Sequence, residues 1–347
     1  MYLHALATAT PPRSFTQAEC LTLARSSTHA QTSLDRRSHL LLRAILRGDS
    51  GIEARQFALN KMHRLFDLDA DELNEEFRRA APALAASALE LALARAGLTA
   101  DELDALVVCT CTGYLCPGVS SYLAEIAGLR PNAWLQDLVG LGCGAAIPAL
   151  RAADAIIGAN PKSVVACVAV EVCSAAFYLD NDPGVIISAC LFGDGAAATI
   201  WRGESGPDRL RCHSFDTHHD PLSRDRIRFE QRNGKLRNLL HPTVPVLAAS
   251  AVRKLYDRAV TAGPIARVVS HAGGKDVIAT LQAELPQYDL GPTRTVLREH
   301  GNMSSPSVLF ALEELRKETS APEAGEDWWL TSFGAGFSAH ACRVTAD

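Results

Sequence analysis

LFGDGAAATIW, residues 191–201, has an echo near the other end of the chain in SFGAGFSAHAC, residues 332–342. Both read Phe-Gly-x-Gly and then pass through small residues into an apolar run. A second pair stands in the same order: VVCTCTG (107–113) and VVSHAGG (268–274) are apolar strands that each end in a polar segment. Self-similarity of this kind predicts two related halves, dividing near residues 203–210. Outward from the first echo, SVVACVAVEV (163–172) reads as a buried strand by its length and β-branching. Before it the spacing predicts a helix from Gly144 to about Ile157, with Ile147, Leu150, Ala153 and Ile157 on one face. Pro148 falls in its first turns and Gly158-Ala159-Asn160-Pro161 ends it. WLQDLV (134–139) and LDALVVCTC (103–111) read as strands, and SSYLAEIAGL (120–129) as a helix between them. This βαβ rhythm predicts a layered α/β architecture.

The chain has 347 residues, 48% of them hydrophobic and 21% charged, with a formal net charge of −5. That length is enough for a large core, and the sign of the charge argues against a general affinity for nucleic acid or acidic membranes. The longest uncharged stretch, Ala105–Ala124, is broken by Gly113, Pro117 and Gly118 and makes a poor membrane span. The first residues, MYLHALATATPPRSF, lack the charged and then apolar pattern of a secretory signal. Most of the ten cysteines sit in apolar runs (Cys109, Cys167, Cys190, Cys342), where cysteine behaves as a small hydrophobe. Cys109, Cys111 and Cys116 have no second pair at zinc-site spacing, so no metal site is expected. A reducing, cytoplasmic setting follows as the expectation.

Three residues stand out chemically. Cys143 lies in a glycine nest, GLGCGAA (140–146), at the predicted start of a helix. There the dipole and free N–H groups favour a thiolate, the form in which a cysteine is nucleophilic. The glycine spacing is not a dinucleotide fingerprint, since Ala145, Ala146 and Ile147 follow Gly144. His271 ends the apolar run ARVVS and enters Ala-Gly-Gly, where a strand delivers a side chain to a shared cleft. An imidazole in reach of Cys143 would form a thiolate–imidazolium pair. Asn302 sits in a Gly-Asn turn, in GNMSSPSVLFALEE (301–314), just before a helical run. A carboxamide cannot act as a general base, but it can stabilise an oxyanion. Donors without a spare base suit an enolate formed by decarboxylation better than they suit hydrolysis. Phe192 reads, on its own, as a core aromatic before a turn.

Residues 209–237 hold eight basic residues (Arg209, Arg211, Arg224, Arg226, Arg228, Arg232, Lys235, Arg237), with His213, His218 and His219 among them. Two readings stay open for this stretch: a solvated excursion, or a basic rim for a phosphorylated carrier such as coenzyme A.

At GNMSSPSVLF, LFGDGAAA, the SHAGG around His271, SFGAGF, and the span from CTCTGYLCPG to Cys143, the chain resembles the type III polyketide synthases of the chalcone synthase superfamily, from about Ser50 onward. The resemblance implies a thiolase-like α/β fold of two related βα halves in αβαβα layers. Residues 1–205 would carry Cys143, and 206–347 would carry His271 and Asn302. It implies that Cys143 accepts the acyl group, that His271 and Asn302 bind the malonyl thioester and stabilise its enolate, and that Phe192 guards the passage between a coenzyme A tunnel and the reaction cavity. Gly334 and Gly336 would line the wall by the thioester. Cys111, Thr112, Cys116, Cys173 and Ala176 would line the pocket, and Arg55 would contact coenzyme A phosphates. Cys111, Cys173 and Ala176 stand where chalcone-forming relatives carry hydroxyl residues, so a roomier, more apolar cavity is expected. EVCSAAFYLDNDPGVIISACLFGDGAAA and RFEQRNGKLRNLLHPTVP (228–245) resemble bacterial alkylresorcinol and alkylpyrone synthases, implying a fatty acyl starter. Each buried methylene of that starter is worth roughly 0.8 kcal/mol. A cysteine at 111 also resembles the naphthol-forming relatives. The implied enzyme is a homodimer that takes acyl-CoA and malonyl-CoA as substrates, with no resident cofactor and no nucleic-acid partner or membrane insertion. A β-ketoacyl synthase III of fatty-acid synthesis, which would condense once from a carrier-protein donor, is the nearest rival, and a non-catalytic thiolase-like binding protein the more distant one.

Overall fold

The computed structural model describes residues 1–347 except 208, 320–322, 324–325 and 347. In chain order the elements are β1 (Tyr2–Ala9), β2 (Ser14–Thr16), α1 (Gln17–Ser26), α2 (Thr28–Ser33), α3 (Arg36–Arg47), β3 (Ala54–Gln56), α4 (Ala70–Ala96), β4 (Ala105–Cys109), α5 (Val119–Ala127), β5 (Trp134–Leu138), α6 (Ala146–Ala159), β6 (Val165–Glu171), α7 (Pro183–Leu191) and β7 (Gly195–Arg202). Then follow β8 (Leu210–His219), β9 (Ile227–Arg232), β10 (Lys235–Leu240), α8 (Val244–Ala259), β11 (Ile265–Ser270), α9 (Lys275–Glu284), α10 (Gly291–His300), α11 (Ser307–Glu318), β12 (Asp327–Gly334) and β13 (Ser338–Ala346).

Nine strands form one sheet in the order β11-β12-β13-β8-β1-β7-β6-β4-β5. The β1–β8 contact that joins its two parts is the single register pair Tyr2–Arg211. On either side of that joint the pairing rule is the same. β4 runs parallel to β6, β6 antiparallel to β7, and β7 antiparallel to β1. Likewise β11 runs parallel to β12, β12 antiparallel to β13, and β13 antiparallel to β8. The two Phe-Gly-x-Gly segments lead into corresponding strands, β7 and β13. What precedes them differs: β12 turns directly into β13, whereas α7 is inserted between β6 and β7.

Helices α6 and α11 touch strands on both sides of the joint, α6 meeting β4, β6, β12 and β13, and α11 meeting β1, β11 and β12. They form the middle of five layers. From outside, α4 covers β1, β6 and β7 and α5 covers β4 and β5, while α8, with α9 packed on it, covers β8 and β13. Such burial on both faces explains the near-continuous apolar runs of β4 and β6, every residue of which is buried. The buried side of α6 is Ala146, Ile147, Ala149, Leu150, Ala153 and Ile157, the face its spacing predicts. Alanines at 146, 149 and 153 let it approach both parts of the sheet closely.

The basic stretch is not a loop. Its first part is β8, and its second is the hairpin β9–β10, turned by Asn233 and Gly234 with φ of 52° and 73°, the left-handed pair a two-residue hairpin turn requires. Four of its arginines, Arg224, Arg228, Arg232 and Arg237, are paired with acids, and Arg237 binds Asp180 at 2.7 Å, Glu230 at 2.8 Å and Asp182 at 3.4 Å. Among the described residues no helix is long and apolar enough to cross a membrane, and all ten cysteines are free thiols.

Candidate active site

A cavity of about 480 Å³ opens between α3, α7 and the start of α8, and Cys143, Phe192, His271, Asn302 and Phe333 line it. The three residues singled out chemically thus meet at one site. Each arrives from a different element. Cys143 occupies a single 3-10 turn (Gly142–Gly144) that leads into α6, so its sulfur lies at the positive end of a 14-residue helix. His271 follows β11, its backbone N–H bonded to the Thr331 carbonyl at 3.0 Å. Asn302 pairs with Phe192 in an isolated parallel bridge; its N–H donates to Leu191 O and its carbonyl accepts from Gly193 N, both at 3.0 Å.

The Asn302 carboxamide is oriented by its neighbours. The Ser304 N–H donates to Oδ1 at 2.7 Å, so the NH2 end is the one facing Gly273 O, at 3.3 Å. A backbone N–H can only donate, so the amide has one sensible assignment.

Burial pushes the Cys143 thiol up to about 12, with a hydrogen bond from Ser304 pulling it partly back and the charge of Glu171 adding to the rise. Burial lowers His271 to about 3, and its Nδ1 is buried without a hydrogen-bond partner. The resting site therefore holds a neutral imidazole and a thiol whose bonded neighbour is Ser304, at 3.2 Å. Burial works against both charges of the thiolate–imidazolium pair expected from sequence, since neither is solvated in so apolar a setting. A neutral imidazole is a hydrogen-bond donor, the role an enolate oxygen needs. The edge of Phe333, with ring centres 5.2 Å apart and planes at 75°, packs against His271 and fixes its plane.

Beyond Phe192 lies a smaller chamber of about 30 Å³, lined by Cys111, Thr112, Cys143, Cys173, Ala176, Ser304 and the hairpin residues Ile227 and Phe229. Phe192 and Cys143 line both spaces, so the aromatic ring stands between them. Phe177 and the hairpin residues Ile227 and Phe229 share the walls of this chamber with Cys111, Cys173 and Ala176, and it has room for roughly two water molecules.

Several residues fall elsewhere than expected. Arg55 is buried, its guanidinium donating to Gln17 Oε1 at 3.1 Å and to the carbonyls of Ala189 and Phe192 at 2.8 Å each. It anchors the end of α7 and does not point to a phosphate. Cys116 is exposed and lines neither space. Gly334 lies behind the nucleophile, where a Cβ would stand 2.6 Å from Gly144 N and 2.9 Å from Cys143 N, so only glycine lets the strand approach that turn. Gly336 lies further off, its carbonyl accepting from His219 at 3.1 Å.

Three site residues escaped the sequence reading. Ser304 binds Cys143 and Cys111, each at 3.2 Å, from a backbone at φ 60°. Glu171 is fully buried at the end of β6 and accepts from Thr110, Thr112 and Ser305 hydroxyls and from the N–H groups of Cys111 and Thr112. Asp194 accepts from Ser174 Oγ at 2.5 Å, Ser174 N at 2.8 Å and Ala58 N at 2.7 Å, and burial raises it to about 6. An acid closing an apolar strand and hydroxyls after Asn302 were the available signals.

Comparison with known proteins agrees with this geometry. The profile of the FAE1/type III polyketide synthase-like family matches residues 6–211, and that of the chalcone and stilbene synthase C-terminal domain matches residues 248–345. The chain is 30% identical over 276 residues to the 3,5-dihydroxyphenylacetyl-CoA synthase of Amycolatopsis orientalis, covering 76% of this chain and 74% of that one. It is 30% identical over 365 residues to the 1,3,6,8-tetrahydroxynaphthalene synthase of Streptomyces peucetius subsp. caesius, covering 96% and 90%. The crystal structure of the 1,3,6,8-tetrahydroxynaphthalene synthase of Streptomyces coelicolor A3(2) superposes with a TM-score of 0.86 at 25% identity, covering 100% and 99%. The chain belongs to the type III polyketide synthases, thiolase-fold acyltransferases that condense acyl-CoA and malonyl-CoA units.

Proposed function

We propose that this synthase primes Cys143 with a small acyl group, extends it with malonyl units, and cyclises the product to a short polyhydroxylated aromatic. The observation that carries the reading is the convergence of Cys143, His271, Asn302 and Phe192 on one cavity. Loading forms the Cys143 thioester. The neutral imidazole of His271 and the Asn302 NH2 then bind the malonyl thioester carbonyl, and loss of carbon dioxide leaves an enolate on that oxygen. Claisen attack on the Cys143 thioester carbonyl lengthens the chain by two carbons. Coenzyme A thioesters are substrates in this scheme, and no resident cofactor takes part.

The chamber of about 30 Å³ and the names of the relatives favour a small starter over a fatty acyl one. The alkylresorcinol or alkylpyrone product keeps one support, the apolar side chains of Leu41, Ile45, Ile187 and Val244 in the larger cavity. Mass spectrometry of products from malonyl-CoA alone and from a ladder of acyl-CoA starters tests the choice; long-chain resorcinols or pyrones as the main products would sink it. We also read residues 1–205 and 206–347 as two related halves, supported by their matched strand pairing. The exposed edge strand β5, with Trp134 and Leu135 outward, supports a homodimer, for which sedimentation is the test.

A further inference from the structure

Asn238 lines the small chamber beside Cys143 and comes from strand β10. Its side chain is buried, makes no hydrogen bond among the described residues, and leaves Oδ1 without a partner. The condensation scheme above makes no use of it. Its direction is fixed by the hairpin. Asn238 pairs with Phe229 across the two strands, and both side chains line the chamber. Its neighbour Arg237 is held by Asp180, Asp182 and Glu230. Side chains alternate along a strand, so this ion cage holds Asn238 on the chamber face.

The walls around the amide are largely apolar, with Cys173, Ala176, Phe177 and Ile227 among them. Thr112 and Ser304 share the chamber, but their hydroxyls are already engaged. That of Thr112 donates to Glu171 and accepts from the Val172 N–H, and that of Ser304 donates to the Cys143 sulfur. A carboxamide without partners is costly in such a wall unless a ligand supplies them.

We propose that Asn238 sets the class of acyl chain the chamber takes, by hydrogen-bonding the keto oxygen of a short β-ketoacyl group held on Cys143. The proposal rests on the reading of Cys143 as acceptor of a small acyl group and adds the residue that tells one small chain from another. A carboxamide offers two donors on its NH2 end and an acceptor at Oδ1. A β-ketoacyl chain matches both ends, with a carbonyl oxygen for the NH2 and, in its enol form, a hydroxyl for Oδ1. An alkyl chain of the same length offers neither and leaves the amide unpaired. Discrimination of this polar kind is sharper than discrimination by apolar fit. Loading itself is a thioester exchange. The Cys143 sulfur bonds to the acyl carbon as the bond to the coenzyme A sulfur breaks, and that sulfur leaves with the thiol proton.

The test uses the intact protein and two donors, acetoacetyl-CoA and butyryl-CoA, whose acyl chains are equally long and differ by the keto oxygen. Acylation of Cys143 is followed by intact mass, which separates the two adducts. The ratio of the two loading rates, acetoacetyl over butyryl, is expected to fall about tenfold in Asn238→Leu, with the loss carried by acetoacetyl-CoA. Taking the ratio against the parent removes the intrinsic difference in reactivity between the donors. Because the amide has no partner in the protein, leucine should leave the melting temperature unchanged or higher. Asn238→Ala, which cannot overfill the chamber, should lose the same discrimination. An unchanged ratio in both variants would show that the amide serves only water in the chamber, and would overturn the proposal. Equal slowing with both donors, together with a lower melting temperature, would make Asn238 a purely structural residue and overturn it too. A parent protein that loads from neither donor would instead defeat the reading of Cys143 as acyl acceptor, and the proposal with it.

Discussion

The Ser304 hydroxyl donates to the Cys143 sulfur at 3.2 Å, from a residue whose backbone sits at φ 60°. Non-glycine residues seldom adopt that conformation, and when they do the surroundings enforce it. Here the enforcing contact is the Ser304 N–H on Asn302 Oδ1, so one residue orients the amide and supports the thiol. Ser304→Ala should raise the Cys143 pKa, since the donor is lost and burial and Glu171 remain. A hydrogen bond to a charged group is worth about 1.5–3 kcal/mol, so alkylation by iodoacetamide at fixed pH should slow by roughly tenfold or more. The pH profile of that rate is the check.

In the proposed scheme His271 acts as a neutral donor. Decarboxylation of malonyl-CoA without a starter should show no inflection near pH 6.5, because burial has moved this group to about 3. His271→Gln keeps a neutral donor and should retain part of the rate, whereas His271→Ala should lose about 100-fold. Carbon dioxide release measures both.

The same shift makes a stability prediction. Between pH 6.5 and about 3 the unfolded chain binds a proton at His271 that the folded site refuses, so the contribution of this group is present above pH 6.5 and falls on acidification. Asp194, raised to about 6, acts in the opposite direction, favouring the folded state as pH falls through that value. The difference in unfolding free energy between the parent and His271→Gln, measured by urea titration at several pH values, should therefore shrink from pH 7 to pH 4.

Arg55→Lys separates anchoring from substrate binding. Lysine keeps the charge but cannot serve Gln17, Ala189 and Phe192 together, and each buried carbonyl left unpaired costs about 1–3 kcal/mol. The expected outcome is a lower melting temperature and reduced turnover, with the salt dependence of KM for acyl-CoA unchanged. A shallower salt dependence would restore Arg55 as a phosphate contact.

Phe192→Ala removes the ring that lines both spaces. It should join the small chamber to the larger cavity, and shift the product spectrum toward larger starters or further extensions, read by mass spectrometry.

Read along the chain, the sequence already marks Cys143, His271 and Asn302 as candidates and shows which elements present them. Cys143 before an apolar helix, His271 at a strand end and Asn302 in a Gly-Asn turn are local patterns, visible because a 3.6- or 2-residue period and a glycine leave marks in the chain. Tertiary structure alone decided their charge and their room. Burial against Phe333 and the cavity walls favours the neutral form of His271, and that ring contact joins residues 62 apart in the chain. Arg55 turned inward because the end of α7 presents carbonyls that need a donor. The small chamber is tight because a hairpin from residues 227–240 closes it. Solvation, hydrogen-bond satisfaction and packing volume are properties of neighbours in space, and no period along the chain records them.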